Sequence, residues 1–241
     1  MITKNQIKLI ISLQQKKFRN QYQLFVAEGE KVIRELLNSK FELNHLYTTD
    51  SVFDDLNIKN KTQINSSDLG KISALSTANN CLALFKISTS NVINDSELVL
   101  VLDDIRDPGN LGTIIRLCDW FGVSNLVCSL ETVDVYNPKV VQATMGSLTR
   151  VNIYYCDLSD YLSKTNLPVF GTFMDGDNIY KTQLPEKGII IMGNEANGIS
   201  EKLEKFIQNR LSIPRFGAIQ ATESLNVATA TAIVLSEFIR K

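Results

Sequence analysis

Leu98-Val-Leu-Val-Leu-Asp-Asp-Ile-Arg-Asp-Pro-Gly-Asn-Leu-Gly-Thr-Ile-Ile-Arg116 carries, in direct succession, an unbroken apolar run, a polar turn with Pro108 and Gly109, and a helical pattern that begins near Asn110. An unbroken apolar run indicates a strand buried on both faces, because a strand with one wetted face alternates. Further runs at Asn125 to Cys128, Val151 to Tyr155, Val169 to Phe173, Ile189 to Met192 and Leu211 to Ile213 are spaced by helical patterns. That alternation predicts an α/β domain over 98–241, built on a parallel sheet covered on both sides.

Toward the N-terminus, Ser88 to Ser96 is polar, aperiodic and dense in turn-favouring residues, which predicts a linker. Residues 1–90 are expected to form a small α/β domain. Short strands are predicted at Leu46-Tyr47, Thr62 to Ile64 and Cys81 to Ile87, with helices over about 28–39 and after a Ser66 or Ser67 cap. Residues 1–20 hold Lys4, Lys8, Lys16, Lys17 and Arg19 without an acidic residue, while Ile7, Ile10, Ile11 and Phe18 recur at near-helical spacing. One basic amphipathic helix is expected there.

The chain has 241 residues, of which 44% are hydrophobic and 21% charged, the usage of a folded globular protein. With 25 Lys+Arg against 26 Asp+Glu, it cannot coat nucleic acid by bulk charge alone, although a local basic surface remains open to it. His45 is the one histidine, which leaves no multi-histidine zinc site and no Ser-His-Asp relay without it. No metal is expected. Cys81, Cys118, Cys128 and Cys156 lack C-x-x-C spacing and sit among apolar residues, as reduced core thiols do. No run reaches the roughly 18 to 20 apolar residues of a membrane span, and a cytoplasmic protein is expected.

Ligands of a parallel α/β sheet sit beyond the carboxyl ends of its strands, so three loops carry the candidate chemistry. In the first, Asn110 and Arg116 lie six apart on one helix, with capping as the alternative role for Asn110. The second, Ile191-Met-Gly-Asn-Glu-Ala-Asn-Gly-Ile-Ser200, has the glycine spacing of a phosphate loop but Ile199 and Ser200 where that loop needs Lys and then Ser or Thr. It reads either as a tight turn or as a place where backbone approaches a flat ligand, with Glu195 at the strand end. In the third, from Ser212 to Ser236, Ser224 marks a helix start, and Ala228 to Ala232 are small enough for close packing. No G-x-G-x-x-G occurs, which counts against a nucleotide-dependent oxidoreductase.

Together the three loops resemble, in order and position, the motifs of the SpoU (TrmH) family of RNA ribose 2′-O-methyltransferases. The matching residues are Asn110-x-Gly112-x-x-x-Arg116, Gly193-Asn194-Glu195-x-x-Gly198, and Ile213-Pro214 followed by Ser224-Leu225-Asn226-Val227-Ala228. Phe25 to Leu37 resembles the ribosomal-protein-like substrate-binding domain that many members carry. The resemblance implies a deep C-terminal trefoil knot, a homodimer, and S-adenosyl-L-methionine held at Gly193, Asn194, Gly198, Ile213 and Leu225, with Thr172 as a further contact. It implies catalytic roles for Arg116, Asn110, Glu195, Ser224 and Asn226. Arg116 is expected to support the developing oxyanion, oriented by Glu195, while Ser224 or water takes the proton. An RNA partner is implied, ribosomal in preference to transfer RNA, with Lys4, Lys8, Lys16, Lys17 and Arg19 as phosphate contacts beside aromatic Phe18 and Tyr22. A non-catalytic RNA-binding relative is the rival reading, and the presence of Arg116 and Ser224 counts against it. The loop from Ile213 to Ser224 is longer than in compact members of the family.

Overall fold

Thr3 starts the first helix, α1 (Lys4–Ser12), with a capping box: its side chain accepts from the Gln6 amide, and Gln6 Oε1 accepts from the Thr3 amide at 2.9 Å. A second helix, α2 (Lys16–Tyr22), follows. The single basic helix expected over 1–20 is therefore two. At the break the Arg19 guanidinium donates to Leu13 O at 2.8 Å and Gln14 O at 2.9 Å, and its Nε donates to Asp134 at 2.8 Å. Arg19 is 2% exposed, so this expected phosphate contact is instead a buried structural ion.

The computed structural model describes residues 2–88, 97–217, 219 and 224–240, and all but the first residue of the expected 88–96 linker lies outside the described residues. The chain divides into two units, 1–90 with 134–149 and 91–133 with 150–241. Residues 134–149, placed by the sequence reading in the C-terminal domain, group with the first unit.

In that unit α2 is followed by β1 (Leu24–Glu28), α3 (Glu30–Leu37), β2 (Leu43–Thr48), β3 (Lys61–Gln63), α4 (Ser66–Ile72) and β4 (Cys81–Lys86), with strands ordered β1-β4-β2-β3. β1 was not expected as a strand. It is buried throughout and pairs antiparallel with β4 from Leu24↔Lys86 to Glu28↔Leu82. Asn65, rather than Ser66 or Ser67, caps α4 by accepting the Asp68 amide at 2.8 Å. Phe25 of β1 packs on Tyr136 with ring centroids 4.7 Å apart, one of the contacts that bring 134–149 into this unit.

The second unit opens with β5 (Leu98–Leu102), α5 (Pro108–Phe121) and β6 (Asn125–Ser129). Helix α6 (Pro138–Thr144) belongs to the first unit. The second resumes with β7 (Asn152–Cys156), α7 (Leu158–Ser163), β8 (Val169–Asn178), β9 (Gly188–Met192), α8 (Glu201–Glu204), β10 (Asn209–Ser212) and α9 (Val227–Ile239). Its strands form one parallel sheet in the order β10-β8-β9-β5-β6-β7. β5, β6 and β9 are buried along their whole length, as their apolar runs predict. From β5 the chain builds outward first through β6 and β7, then on the other side through β8, β9 and β10. Such a switch of direction opens a crevice at the carboxyl ends of the central strands. One departure shapes that crevice: β8 runs on to Asn178 rather than ending at Phe173, and its pairing with β10 jumps from Gly171↔Arg210 to Asp177↔Leu211. Residues 172–176 therefore stand out of the ladder. No described helix is long and apolar enough to cross a membrane.

Candidate active site

Asn194 ties the loop after β9 to the loop after β5. Its side-chain nitrogen donates to Asp104 O at 2.7 Å, and its oxygen accepts the Ala196 and Asn197 amides at 3.0 and 3.1 Å. Asp104 has φ 58°, a left-handed backbone that Asp tolerates better than most residues. The Asp103 carboxylate accepts the Ser200 amide at 2.8 Å, which fixes the far end of the β9 loop. At Gly193 a Cβ would lie 2.2 Å from the Gly198 carbonyl carbon, and Gly198 itself has φ +70°, so both positions need glycine. The result is a tight turn that puts Glu195 on the surface of the crevice.

From there a hydrogen-bonded line crosses three loops. Glu195 Oε1 accepts from Asn110 Nδ2 at 3.0 Å, and Asn110 Oδ1 accepts from Asn226 Nδ2 at 2.9 Å. A primary amide has a donor end and an acceptor end, so a carboxylate at one end of the line fixes the orientation of both amides. Asp107, not Asn110, caps α5, accepting the Asn110 amide at 2.8 Å. Asn226, not Ser224, caps α9, accepting the Ala228 and Thr229 amides at 2.9 and 3.2 Å.

Ser224 and Glu195 line an open cleft of about 1420 Å³. Thr172, Gly193, Asn194, Gly198, Ile213 and Leu225, expected to hold the cofactor, line it as well. Arg116 is not brought to the cleft; it stands on the exposed face of α5. Glu195 accordingly holds Asn110, where an orienting bond to Arg116 was expected.

One wall went unforeseen. Phe173, Met174 and Asp175 line the cleft from the 172–176 excursion, and Arg210 braces Phe173 and Asp175. Its guanidinium carbon lies 3.4 Å from the Phe173 ring centroid, and it donates to Asp175 and Glu204 at 2.9 Å each. That pairing holds the Asp175 carboxyl below its ordinary pKa. Gly176 was the available signal, since a glycine within a strand marks close backbone approach; a Cβ there would lie 2.5 Å from the Leu211 carbonyl carbon.

The donor set suits S-adenosylmethionine. Glu195 sets a carboxylate on the cleft, complementary to a sulfonium or an ammonium, Asp175 and Glu204 share theirs with Arg210, and Met192, Ile213, Leu225 and Val227 supply apolar surface for a flat ring. In the first unit Lys4, Lys8, Lys16 and Lys17 are exposed. Phe18 and Tyr22 stack with centroids 6.4 Å apart, and the Lys17 ammonium lies 4.7 Å from the Phe18 ring centroid.

Known proteins resemble this chain in fold and sequence. A family model described as the SpoU rRNA Methylase family matches residues 97–236, and one described as the MRM3-like substrate binding domain matches residues 4–83. The 23S rRNA (guanosine(2553)-2'-O)-methyltransferase RlmP of Bacillus subtilis (strain 168) is 29% identical over 231 residues, covering 92% of this chain and 91% of its own. A Porphyromonas gingivalis protein assigned to the TrmH family of RNA methyltransferases superposes with a TM-score of 0.90 at 36% identity, covering 99% of this chain and 98% of that one. The AdoMet-bound rRNA methyltransferase from Sinorhizobium meliloti gives a TM-score of 0.87 at 28% identity, covering 100% and 96%.

Proposed function

The chain belongs to the SpoU rRNA methylase family, and from that premise we propose that it transfers the methyl group of S-adenosylmethionine to a ribose 2′-hydroxyl of ribosomal RNA. The observation that carries this reading is the Asn226–Asn110–Glu195 line beside the cleft at the sheet's switch point. When bound, S-adenosylmethionine supplies an electrophilic methyl group. A ribose hydroxyl is a weak nucleophile, so the protein has to orient it, support its developing charge and pass on its proton. Charge support is assigned to Arg116 on the family resemblance, although it stands outside the cleft on the exposed face of α5; a guanidinium is a donor and not a base. Ser224 is assigned the proton, which it hands to solvent. The line of amides keeps Asn110 and Asn226 in one orientation while this happens.

Other family traits are part of the same proposal. A trefoil knot is supported by the sheet order, because β10 lies at one edge whereas α9, next in the chain, packs on α5, which follows the central strand. A homodimer is supported by α5, where Arg116 and Trp120 share an exposed face and Trp120 is 83% exposed; a bare indole on a helix is suited to a second copy. Lys4, Lys8, Lys16 and Lys17, all exposed, are assigned to RNA phosphates, and the cytoplasm is the assigned compartment.

Ribose methylation mapped across total RNA from a deletion strain tests the reading. One ribosomal ribose methylated in the parent and bare in the deletion supports it. A loss confined to transfer RNA moves the substrate, and no loss at any ribose refutes the activity.

A further inference from the structure

The cleft is larger than a cofactor alone requires. Its volume of about 1420 Å³ exceeds the roughly 300 to 1,000 Å³ of an ordinary small-molecule site, so room remains for a second occupant. Its border carries a ring that packs on little of the protein: Phe216 lines the cleft and is 83% exposed. Trp120 is as exposed but lies outside the cleft. Among the described residues, Phe216 is thus the one exposed aromatic side chain that lines it.

Tyr180 backs Phe216. The Tyr180 ring lies 6.3 Å from it, centroid to centroid, at an interplanar angle of 31°. Tyr180 sits on the turn Ile179–Lys181, where its amide donates to Asn178 Oδ1 at 3.0 Å and the Thr182 hydroxyl donates to Asn178 O at 2.9 Å. Pro214 precedes Phe216 by two residues, and the intervening Arg215 donates to Met174 Sδ at 3.5 Å. Arg215 and the exposed Lys181 put a cation in sequence next to each ring.

We propose that Phe216, supported by Tyr180, is the stacking platform for the base of the target nucleotide. The proposal rests on the methyltransferase reading and adds a substrate-positioning residue to it. A base hangs from the ribose carbon next to the one that bears the reacting hydroxyl. Once that hydroxyl enters the cleft, the base has to lie at the same border. In folded RNA it must first leave its neighbours, and an enzyme offsets that cost by stacking the extruded base on an apolar or aromatic surface. Every base has a π-face, so such a platform sets geometry and leaves base identity to other contacts. The adjacent cations suit the flanking phosphates.

The test uses the full-length protein, S-adenosylmethionine, and an unmodified transcript of large-subunit ribosomal RNA. Phe216→Ala is expected to leave cofactor affinity within about twofold and to lower kcat/KM for the transcript about five- to hundredfold, the range for losing one base–aromatic stack. Phe216→Tyr restores the rate to within about threefold, Phe216→Leu does not, and Tyr180→Ala falls between, because stacking needs a flat ring held in place. A parallel loss of cofactor affinity, a rate unchanged in Phe216→Ala, or rescue by Leu as good as by Tyr overturns the platform. A wild-type protein that leaves the transcript unmethylated refutes the ribosomal reading instead. The platform is then judged by a short single-stranded RNA carrying 2-aminopurine, whose fluorescence is quenched on stacking by wild type and not by Phe216→Ala; equal quenching by both overturns it.

Discussion

The side-chain amide of Asn226 donates to Asn110 Oδ1 at 2.9 Å, joining residues 116 apart in sequence, while Asn226 Oδ1 accepts the first amides of α9. One side chain therefore starts a helix and orients a site residue on another. The two duties separate by substitution.

Asn226→Asp keeps the cap acceptor and loses the donor. Asn110 can then turn its amide toward the new carboxylate only by facing its oxygen to the carboxylate of Glu195, so one link of the line breaks. Thermal stability is expected to hold while single-turnover methyl transfer falls roughly tenfold to a hundredfold, as for a misplaced reacting group. Asn226→Ala adds a capping loss of about 1 kcal/mol, read as a melting temperature lower by about 2 to 4 °C. Equal activity of Asn226→Asp and wild type removes the line from the mechanism.

Arg116→Ala is expected to lower methyl transfer on the order of a hundred- to thousandfold, the cost of one preorganised oxyanion donor, with cofactor affinity unchanged. Arg116→Lys, which keeps charge and loses the planar fork, recovers only part of it. Activity within about threefold of wild type in Arg116→Ala, against that yardstick, leaves Arg116 a surface residue of α5.

The basic N-terminus divides into two kinds of cation. Arg19→Ala strands the Asp134 carboxylate, which is 14% exposed, and is expected to destabilise the protein by about 3 to 5 kcal/mol in denaturant titration, while Arg19→Met with Asp134→Leu regains most of it. Replacing Lys4, Lys8, Lys16 and Lys17 together by Ala leaves stability alone and reduces the salt slope of RNA binding by up to about 3.6, at about 0.7 to 0.9 per phosphate contact. A salt slope that falls for Arg19 and not for the lysines reverses the assignment.

Thiol chemistry supplies a pH signature. Burial pushes Cys81 and Cys118 up to about 12 and Cys128 higher still, and it raises Cys156 as well. The reactive thiolate is thus scarce in the native protein, so iodoacetamide at about pH 8 is expected to label it slowly and the unfolded chain fast. The sign for stability follows: unfolded thiols ionise first, and stability falls as pH rises from the free-thiol range toward about 12. Rapid native labelling at Cys118 contradicts this.

Much of this was legible in the sequence. Leu98–Leu102 and Gly188–Met192 announced buried parallel strands because both faces had to be apolar, and the three loops beyond the sheet are where Asn110, Glu195 and Asn226 meet. Strand order is long-range and leaves no local trace. The same holds for Arg19, a surface cation by its neighbours and a buried one because its partner stands 115 residues on. Ser224 was the helix start expected, and the cap is Asn226, two residues on, which also bonds Asn110. The apolar run ends at Phe173, and the ladder resumes at Asp177 only because β10 lies alongside.

Residue 149 leaves the ribosome long after residue 90, yet both belong to the first unit. Nascent chains fold unit by unit as they emerge. Here the first unit must wait while β5, α5 and β6, all parts of the second, are synthesised. The Phe25 and Phe41 rings lack their contact with Tyr136 throughout that interval, and Arg19 stays without its counter-ion. Translation stalled anywhere short of Asp134 therefore leaves an apolar and charged surface open to chaperones and proteases, and slow codons between Leu98 and Asp134 lengthen that exposure.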